Sequence, residues 1–252
     1  MTTPHLAGTV ESEVWVWDAT TGEKEKIFKT DSHRIVALSW SPDGQMIAAG
    51  SLDNGEIYLW QVDSNKPALV FQDGTQITSV SWSRRGDLLA VSNLPQGVHI
   101  WDIHGKKFLH RLNAAGEVSF VTWNPESDIL ATGGGFSGSE GVGPQYWDSK
   151  GRKLLQSVDS GADYLLMGRW NADGTRIATA DIGGTVSVWE MKVAHPLQTF
   201  VGSNFDFYSN TLVNFMAWSP NNELAIVTAD NHIKVWDITK GKELYDLACN
   251  ET

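Results

Sequence analysis

Apolar residues in this chain fall in short runs that alternate with polar ones, and turn signals cut the runs apart. The pattern is plainest at 35–60, Ile-Val-Ala-Leu-Ser-Trp-Ser-Pro-Asp-Gly-Gln-Met-Ile-Ala-Ala-Gly-Ser-Leu-Asp-Asn-Gly-Glu-Ile-Tyr-Leu-Trp. The first turn is Ser41-Pro42-Asp43-Gly44, where proline pre-sets φ and glycine supplies the positive φ that closes it. The second is Asp53-Asn54-Gly55, whose Asn-Gly tolerates the left-handed backbone of a tight hairpin. Residues 56–60 alternate at the strand period. The unit predicted is a three-stranded antiparallel meander. It is too small to bury its own faces and needs copies of itself.

The copies are present. A strand ending apolar-x-apolar-Trp, usually followed by an acid, recurs at Trp17, Trp60, Trp101, Trp147, Trp189 and Trp236, at intervals of 41 to 47 residues. A second tryptophan ends the first strand of five units: Trp40, Trp82, Trp123, Trp170 and Trp218. Each is followed by a turn, from Ser-Pro-Asp-Gly to Ser-Pro-Asn-Asn. With Trp15, the two series account for all 12 tryptophans, so the indoles mark packing rather than scattered chemistry.

These residues resemble the WD-repeat (WD40) β-propeller family. The resemblance rests on Trp-Asp at 17–18, 101–102, 147–148 and 236–237, with Trp60-Gln61 and Trp189-Glu190 as variants. It covers nearly the whole chain and implies an all-β propeller fold with four strands per blade. The repeats fall at 1–30, 31–72, 73–112, 113–158, 159–200 and 201–247, within one domain spanning 1–252. Five are complete four-stranded blades. The first begins in mid-repeat, with strands at 6–9, 13–17 and 25–28 and no innermost strand before them. Three readings stay open: an incomplete ring, a half blade completed by pairing with another chain, or a piece of a longer protein. An open sheet edge is a liability that favours the second and third.

Composition narrows the function. A net charge of −11 disfavours nucleic acid, whose backbone selects basic stripes, and is compatible with a basic peptide or protein partner. The same charge also keeps a protein soluble. The lone Cys249 rules out an intramolecular disulfide and a cysteine-rich zinc site. No apolar run reaches the length of a membrane span, and the first residues lack the pattern of a secretory signal, so a cytoplasmic or nuclear setting is expected.

Chemistry is sparse. The insertions at 93–97, 133–144 and 201–211 all fall on one face, that of the strand-two-to-three turns and the loops leading into each blade. Function concentrates in such loops. The 133–144 loop is glycine-rich with Phe136 and Glu140, but it lacks the Lys-Ser/Thr and helix of a phosphate loop. A hairpin tip is the plain alternative. The 201–211 loop offers Phe205, Asp206, Phe207 and Tyr208, aromatics of the type that anchor interfaces or fold back over the rim. Asp53, Asp181 and Asp230 precede third strands, and the resemblance implies that they order their turns. The family's histidine before each blade is missing. The remaining histidines show no metal spacing.

The reading that follows is a non-catalytic protein–protein interaction scaffold with no cofactor, holding a partner peptide or subunit on the insertion-bearing face. The alternative is a propeller hydrolase or lyase working in the central channel. The predicted first strands, which would line that channel, hold no Asp, Glu or His and only Arg169 as an ionisable group.

Overall fold

A computed structural model describes residues 4–64, 66–74, 76–94, 96–114, 116–135, 142–148, 152–159, 164–201, 213–228 and 232–249. The described elements are all strands. They form two compact units, Met1–Ala114 and Ala115–Thr252.

The first unit holds three sheets. A three-stranded sheet comprises β1 (His5–Val10), β2 (Glu13–Asp18) and β3 (Lys24–Lys29). Two four-stranded sheets follow. One is β4 (Ile35–Trp40), β5 (Met46–Ser51), β6 (Glu56–Gln61) and β7 (Pro67–Gln72); the other is β8 (Gln76–Trp82), β9 (Leu88–Leu94), β10 (Gly97–Asp102) and β11 (Lys107–Leu112). The second unit holds three four-stranded sheets. These are β12 (Glu117–Trp123), β13 (Ile129–Gly135), β14 (Val142–Asp148) and β15 (Lys153–Asp159); β16 (Leu165–Trp170), β17 (Arg176–Asp181), β18 (Thr185–Glu190) and β19 (Gln198–Val201); and β20 (Val213–Trp218), β21 (Glu223–Thr228), β22 (His232–Asp237) and β23 (Lys242–Ala248). Every sheet is an antiparallel meander in chain order, which makes each one a propeller blade. The partial first blade and five complete ones match the repeat count read from the sequence.

Two predicted insertions are shorter than expected. Strand β9 runs to Leu94 and β10 starts at Gly97, which already pairs with Asn93, so only residues 95–96 join the two strands and 93–97 is no long turn. Likewise β13 runs on through Gly135 and β14 starts at Val142, which cuts the predicted 133–144 loop to residues 136–141. First strand β12 also begins one residue earlier than predicted and brings Glu117 into the inner set.

The turns after the first tryptophans show local chemistry dictating shape. Gly44 takes a φ of 68° and donates its N–H to the Ser41 carbonyl at 2.9 Å. In the last blade Asn222 holds the same left-handed place at 61°, as asparagine can where most residues are strained.

Within each unit, blades bury their faces against the next. Val14, Val16 and Phe28 of the first blade close on Ile47, Ala49, Tyr58 and Trp60 of the second. Ala48, Ile57 and Leu59 close on Ile77, Val80 and Trp82. In the second unit Phe120, Ala131 and Tyr146 meet Leu165, Trp170 and Ile177. The first-strand tryptophans tie neighbours together as well. Trp82 Nε1 donates to the Ser39 carbonyl at 3.2 Å, Trp170 Nε1 to Thr122 at 3.2 Å, and Trp218 Nε1 to Arg169 at 2.9 Å. Each acceptor directly precedes the equivalent tryptophan one blade earlier, so the indole series is a ladder of rungs between blades.

Candidate interaction site

Each blade must satisfy the indole N–H of its third-strand tryptophan, and the solution decides how much of the neighbouring turn is committed to structure. Trp147 Nε1 donates to Thr132 Oγ1 at 3.0 Å, and Trp189 Nε1 to Thr179 Oγ1 at 2.8 Å. In both blades the threonine sits two residues beyond the tryptophan's cross-strand partner, Leu130 or Ile177. In the second blade that position is Ala49, two beyond Ile47, and Trp60 Nε1 is buried with no acceptor among the described residues.

The third blade uses a different device. Asp73 is buried in the segment leading into β8. Its Oδ2 accepts from Trp101 Nε1 at 2.7 Å, while its Oδ1 bonds His99 Nδ1 and accepts from Asn93 Nδ2 at 3.3 Å. His99 lies edge-on to Phe108, with ring centroids 5.2 Å apart. The sequence reading placed His99 on a third strand but passed over Asp73. The available signal was the Asp73-Gly74 pair at the start of the blade.

Asp53 is equally engaged. Its Oδ1 accepts from Ser32 Oγ at 2.6 Å and Ser51 Oγ at 2.5 Å, and its Oδ2 from the His33 N–H at 2.9 Å. The Ser32 and Ser51 hydroxyls hold its carboxyl well below the usual carboxylate range. Ser32 thus stands where the family resemblance called for histidine. Asp181 Oδ1 accepts the Thr185 N–H at 2.8 Å across its own hairpin. These carboxylates hold turns together through their hydrogen bonds. Asp230 lies outside the described residues, as do Phe136, Glu140, Phe205, Asp206, Phe207 and Tyr208. What the structure fixes is the frame for them. Gly135 and Val142 flank residues 136–141, and Val201 and Val213 flank residues 202–212, all within the second unit.

Other surface features are modest. On the opposite face of the first unit, beside the Ser-Pro-Asp-Gly turn, a groove of about 400 Å³ is lined by His5, Glu25, Lys26, Gln45, Gln61 and Asp63 among others. His5 Nε2 pairs with Glu25 Oε2 at 2.8 Å, and Lys26 Nζ donates to the Val62 carbonyl. Among the described first-strand residues the ionisable side chains are Glu117 and Arg169. Arg169 keeps accessible surface, yet surrounding protein lowers its pKa by desolvation; a guanidinium remains charged at ordinary pH all the same. No group of three or more metal-ligating side chains occurs among the described residues.

Comparison with known proteins places these features in a family. The profile of the WD domain, G-beta repeat, matches residues 22–61 and 195–237, and that of the anaphase-promoting complex subunit 4 WD40 domain matches 70–126. Together these segments take in more than half of the chain. Similar curated proteins include cell division cycle 20.1, cofactor of APC complex, from Arabidopsis thaliana, 22% identical over 92% of this chain and 61% of its own length. Anaphase-promoting complex subunit cdh1 of Dictyostelium discoideum is 28% identical over 82% of this chain and 25% of its own. Protein transport protein SEC31 of Candida glabrata is 22% identical over 92% and 20%. The chain thus spans less than two thirds of the length of these relatives. Blade topology, the two tryptophan series and the profile matches agree: the chain belongs to the WD-repeat family of β-propeller proteins.

Proposed function

We propose that this chain is a non-catalytic protein–protein interaction scaffold. It holds a partner peptide or subunit on the face that carries the long connections of the second unit. The observation that carries this reading is the contrast between connections on that face. Within the second unit the connection after Asp181 is closed by that carboxylate, whereas residues 136–141 and 202–212 span six and eleven residues, longer than the roughly two to five of a usual hairpin loop. Phe136, Phe205, Phe207 and Tyr208 serve as aromatic anchors. Glu140 and Asp206, with the net charge of −11, favour a basic partner. Two of the relatives are named as a cofactor and a subunit of the anaphase-promoting complex, which supports a role as a platform within an assembly. Pairing of the three-stranded first blade with a strand of another chain is a second contact consistent with the same role.

The test is affinity purification from the native source, with mass measurement of the recovered proteins. Replacing Phe205, Phe207 and Tyr208 together by Ala is expected to lose the partner while the far-ultraviolet circular dichroism of the sheets is unchanged. Unaltered co-purification by the triple variant would remove this loop from the site.

A further inference from the structure

The last strand of each blade is an edge, and an unpaired row of N–H and C=O groups invites another strand to join it. The chain guards most of these edges with charge. Strand β3 carries Lys24, Lys26 and Lys29, β11 carries Lys107 and Arg111, β15 carries Lys153, and β23 carries Lys242 and Glu243. Strand β19 is uncharged but only four residues long. Strand β7 has neither protection. It runs for six residues, Pro-Ala-Leu-Val-Phe-Gln, without a charge. Its proline stands first, a place that strands tolerate and that leaves the rest of the edge open.

Register shows which backbone groups that edge offers. The Asp73 N–H donates to the Gly55 carbonyl at 2.9 Å, and the next pairs along the ladder are Gln72 with Glu56, Phe71 with Ile57 and Val70 with Tyr58. Hydrogen-bonded and non-hydrogen-bonded pairs alternate in an antiparallel ladder. Phe71 is therefore bonded to β6, as Asp73 is to Gly55, while Val70 and Gln72 turn their N–H and C=O groups outward. The Val70 side chain is 42% exposed, and no strand among the described residues pairs with this edge. A run of rings extends the apolar surface on the Phe71 side. Phe71 lies 4.3 Å from Trp101 and Trp101 lies 5.7 Å from Phe108, which is 46% exposed.

We propose that the outer edge of β7 is a self-association site, at which a second copy of the chain adds its own β7 antiparallel, about a two-fold axis between the two Phe71 residues. In that register the strand is its own complement. Val70 meets Gln72 of the second copy and Gln72 meets Val70, so every outward N–H and C=O of these residues is bonded on both strands. The two Phe71 residues face each other as a non-hydrogen-bonded pair, in which cross-strand side chains come closest and aromatic pairs are favourable. The paired strands bring no charge of their own into the contact, which a chain of net charge −11 needs if it is to meet itself. Two four-stranded blades become one continuous sheet. The pair is closed, because each copy uses up the edge it offers.

Amide hydrogen exchange read by NMR on the full chain, across a concentration series, tests this. A contact one strand long is small, and a Kd on the order of 100 µM is expected. In dilute solution the Val70 and Gln72 amides exchange fast and the Phe71 amide is protected. At about 1 mM, where roughly a fifth of the chains stay monomeric, exchange at Val70 and Gln72 slows about fivefold and Phe71 is unchanged. By sedimentation velocity, Val70→Lys is expected to raise Kd at least about tenfold, since a charge on the strand guards the edge as it does elsewhere in the chain. Val70→Thr keeps the β-branch and the dimer. Leu154→Lys, at a residue 41% exposed on β15, leaves Kd unchanged. Circular dichroism checks the fold of each variant, and the exchange pattern of the natural chain decides alone if Val70→Lys unfolds. A chain monomeric at about 1 mM overturns the proposal and leaves the edge to a different protein. So does a dimer in which Val70 and Gln72 exchange as fast as in the monomer, a dimer that folded Val70→Lys leaves intact, or growth beyond two copies.

Discussion

Phe120 sits in a slot whose two walls are glycines, and filling either wall should be unusually damaging. The ring lies on β12 with 2% of its surface exposed. A Cβ added at Gly133, on the neighbouring strand β13, would stand 2.3 Å from Phe120 Cε1 and 2.6 Å from Cζ. A Cβ added at Gly168, on β16 of the next blade, would stand 2.3 Å from Cε2 and 2.5 Å from Cζ. Carbon atoms in ordinary contact are about 3.5–4.0 Å apart, so either alanine requires about 1 Å of relief. The ring cannot give it, since retreat from one glycine drives its opposite edge onto the other. Gly168→Ala should therefore fall at the upper end of overpacking effects, about 3 kcal/mol. Phe120→Leu removes the Cε and Cζ atoms and is expected to lose roughly 1–2 kcal/mol, less than the ~3–5 of a change to alanine. The double variant should then resemble Phe120→Leu alone, leaving a coupling of about 3 kcal/mol where independent sites add to within roughly 0.5. Urea unfolding followed by tryptophan fluorescence reads it, with midpoints compared only where the slope is unchanged. Additive single effects would refute the slot.

Three further outcomes follow from the hydrogen bonds. Ala49→Ser places an acceptor two residues beyond the partner of Trp60, as Thr132 and Thr179 are placed for theirs, and should stabilise the protein by about 1 kcal/mol in urea unfolding; no gain would mean the indole is already satisfied. Trp170→Phe keeps a ring but removes the donor to the Thr122 carbonyl, and should destabilise by about 1–3 kcal/mol in the same assay, with an effect indistinguishable from zero counting against the rung. Because Asp53 has its carboxyl pKa lowered in the fold, its stabilisation is present above the ordinary carboxylate value of about 4 and is lost as pH falls through the lower folded value. The stability gap between the natural chain and Asp53→Asn should therefore shrink below about pH 4, and a gap that widens there would reverse the assignment.

The strands were legible because each repeat states its limits twice, once in a turn and once in a tryptophan. First strand β4 ends at Trp40 and is followed by Ser41-Pro42-Asp43-Gly44; β16 ends at Trp170 and is followed by Asn171-Ala172-Asp173-Gly174. The glycines misled where they serve packing rather than bending. Gly133 and Gly134 read as loop, yet Gly133 makes room for Phe120, and a Cβ on Gly134 would lie 1.9 Å from the Glu117 carbonyl oxygen. Composition alone cannot separate a glycine that frees the backbone from one that lets a neighbour approach. Asp73 was illegible for a different reason. Its partners His99 and Trp101 lie 26 and 28 residues away, and the one local mark, the Asp73-Gly74 pair, reads as an ordinary turn rather than as a carboxylate that takes the place of a histidine.

That exchange of parts bears on where function can lie. Blades four and five anchor the indole with threonine, blade three with a buried aspartate, and blade two packs it without an acceptor among the described residues. Four blades reach one geometry by three routes, and every route uses residues of the strands or of the short segment leading into them. The longer connections at 136–141 and 202–212 supply none of these acceptors. Anchoring these indoles therefore places no demand on what those connections contain. If Phe205, Phe207 and Tyr208 bind a partner as proposed, selection can change them without disturbing these indole anchors, which is why they were singled out from loop position and residue type rather than from any rule of folding.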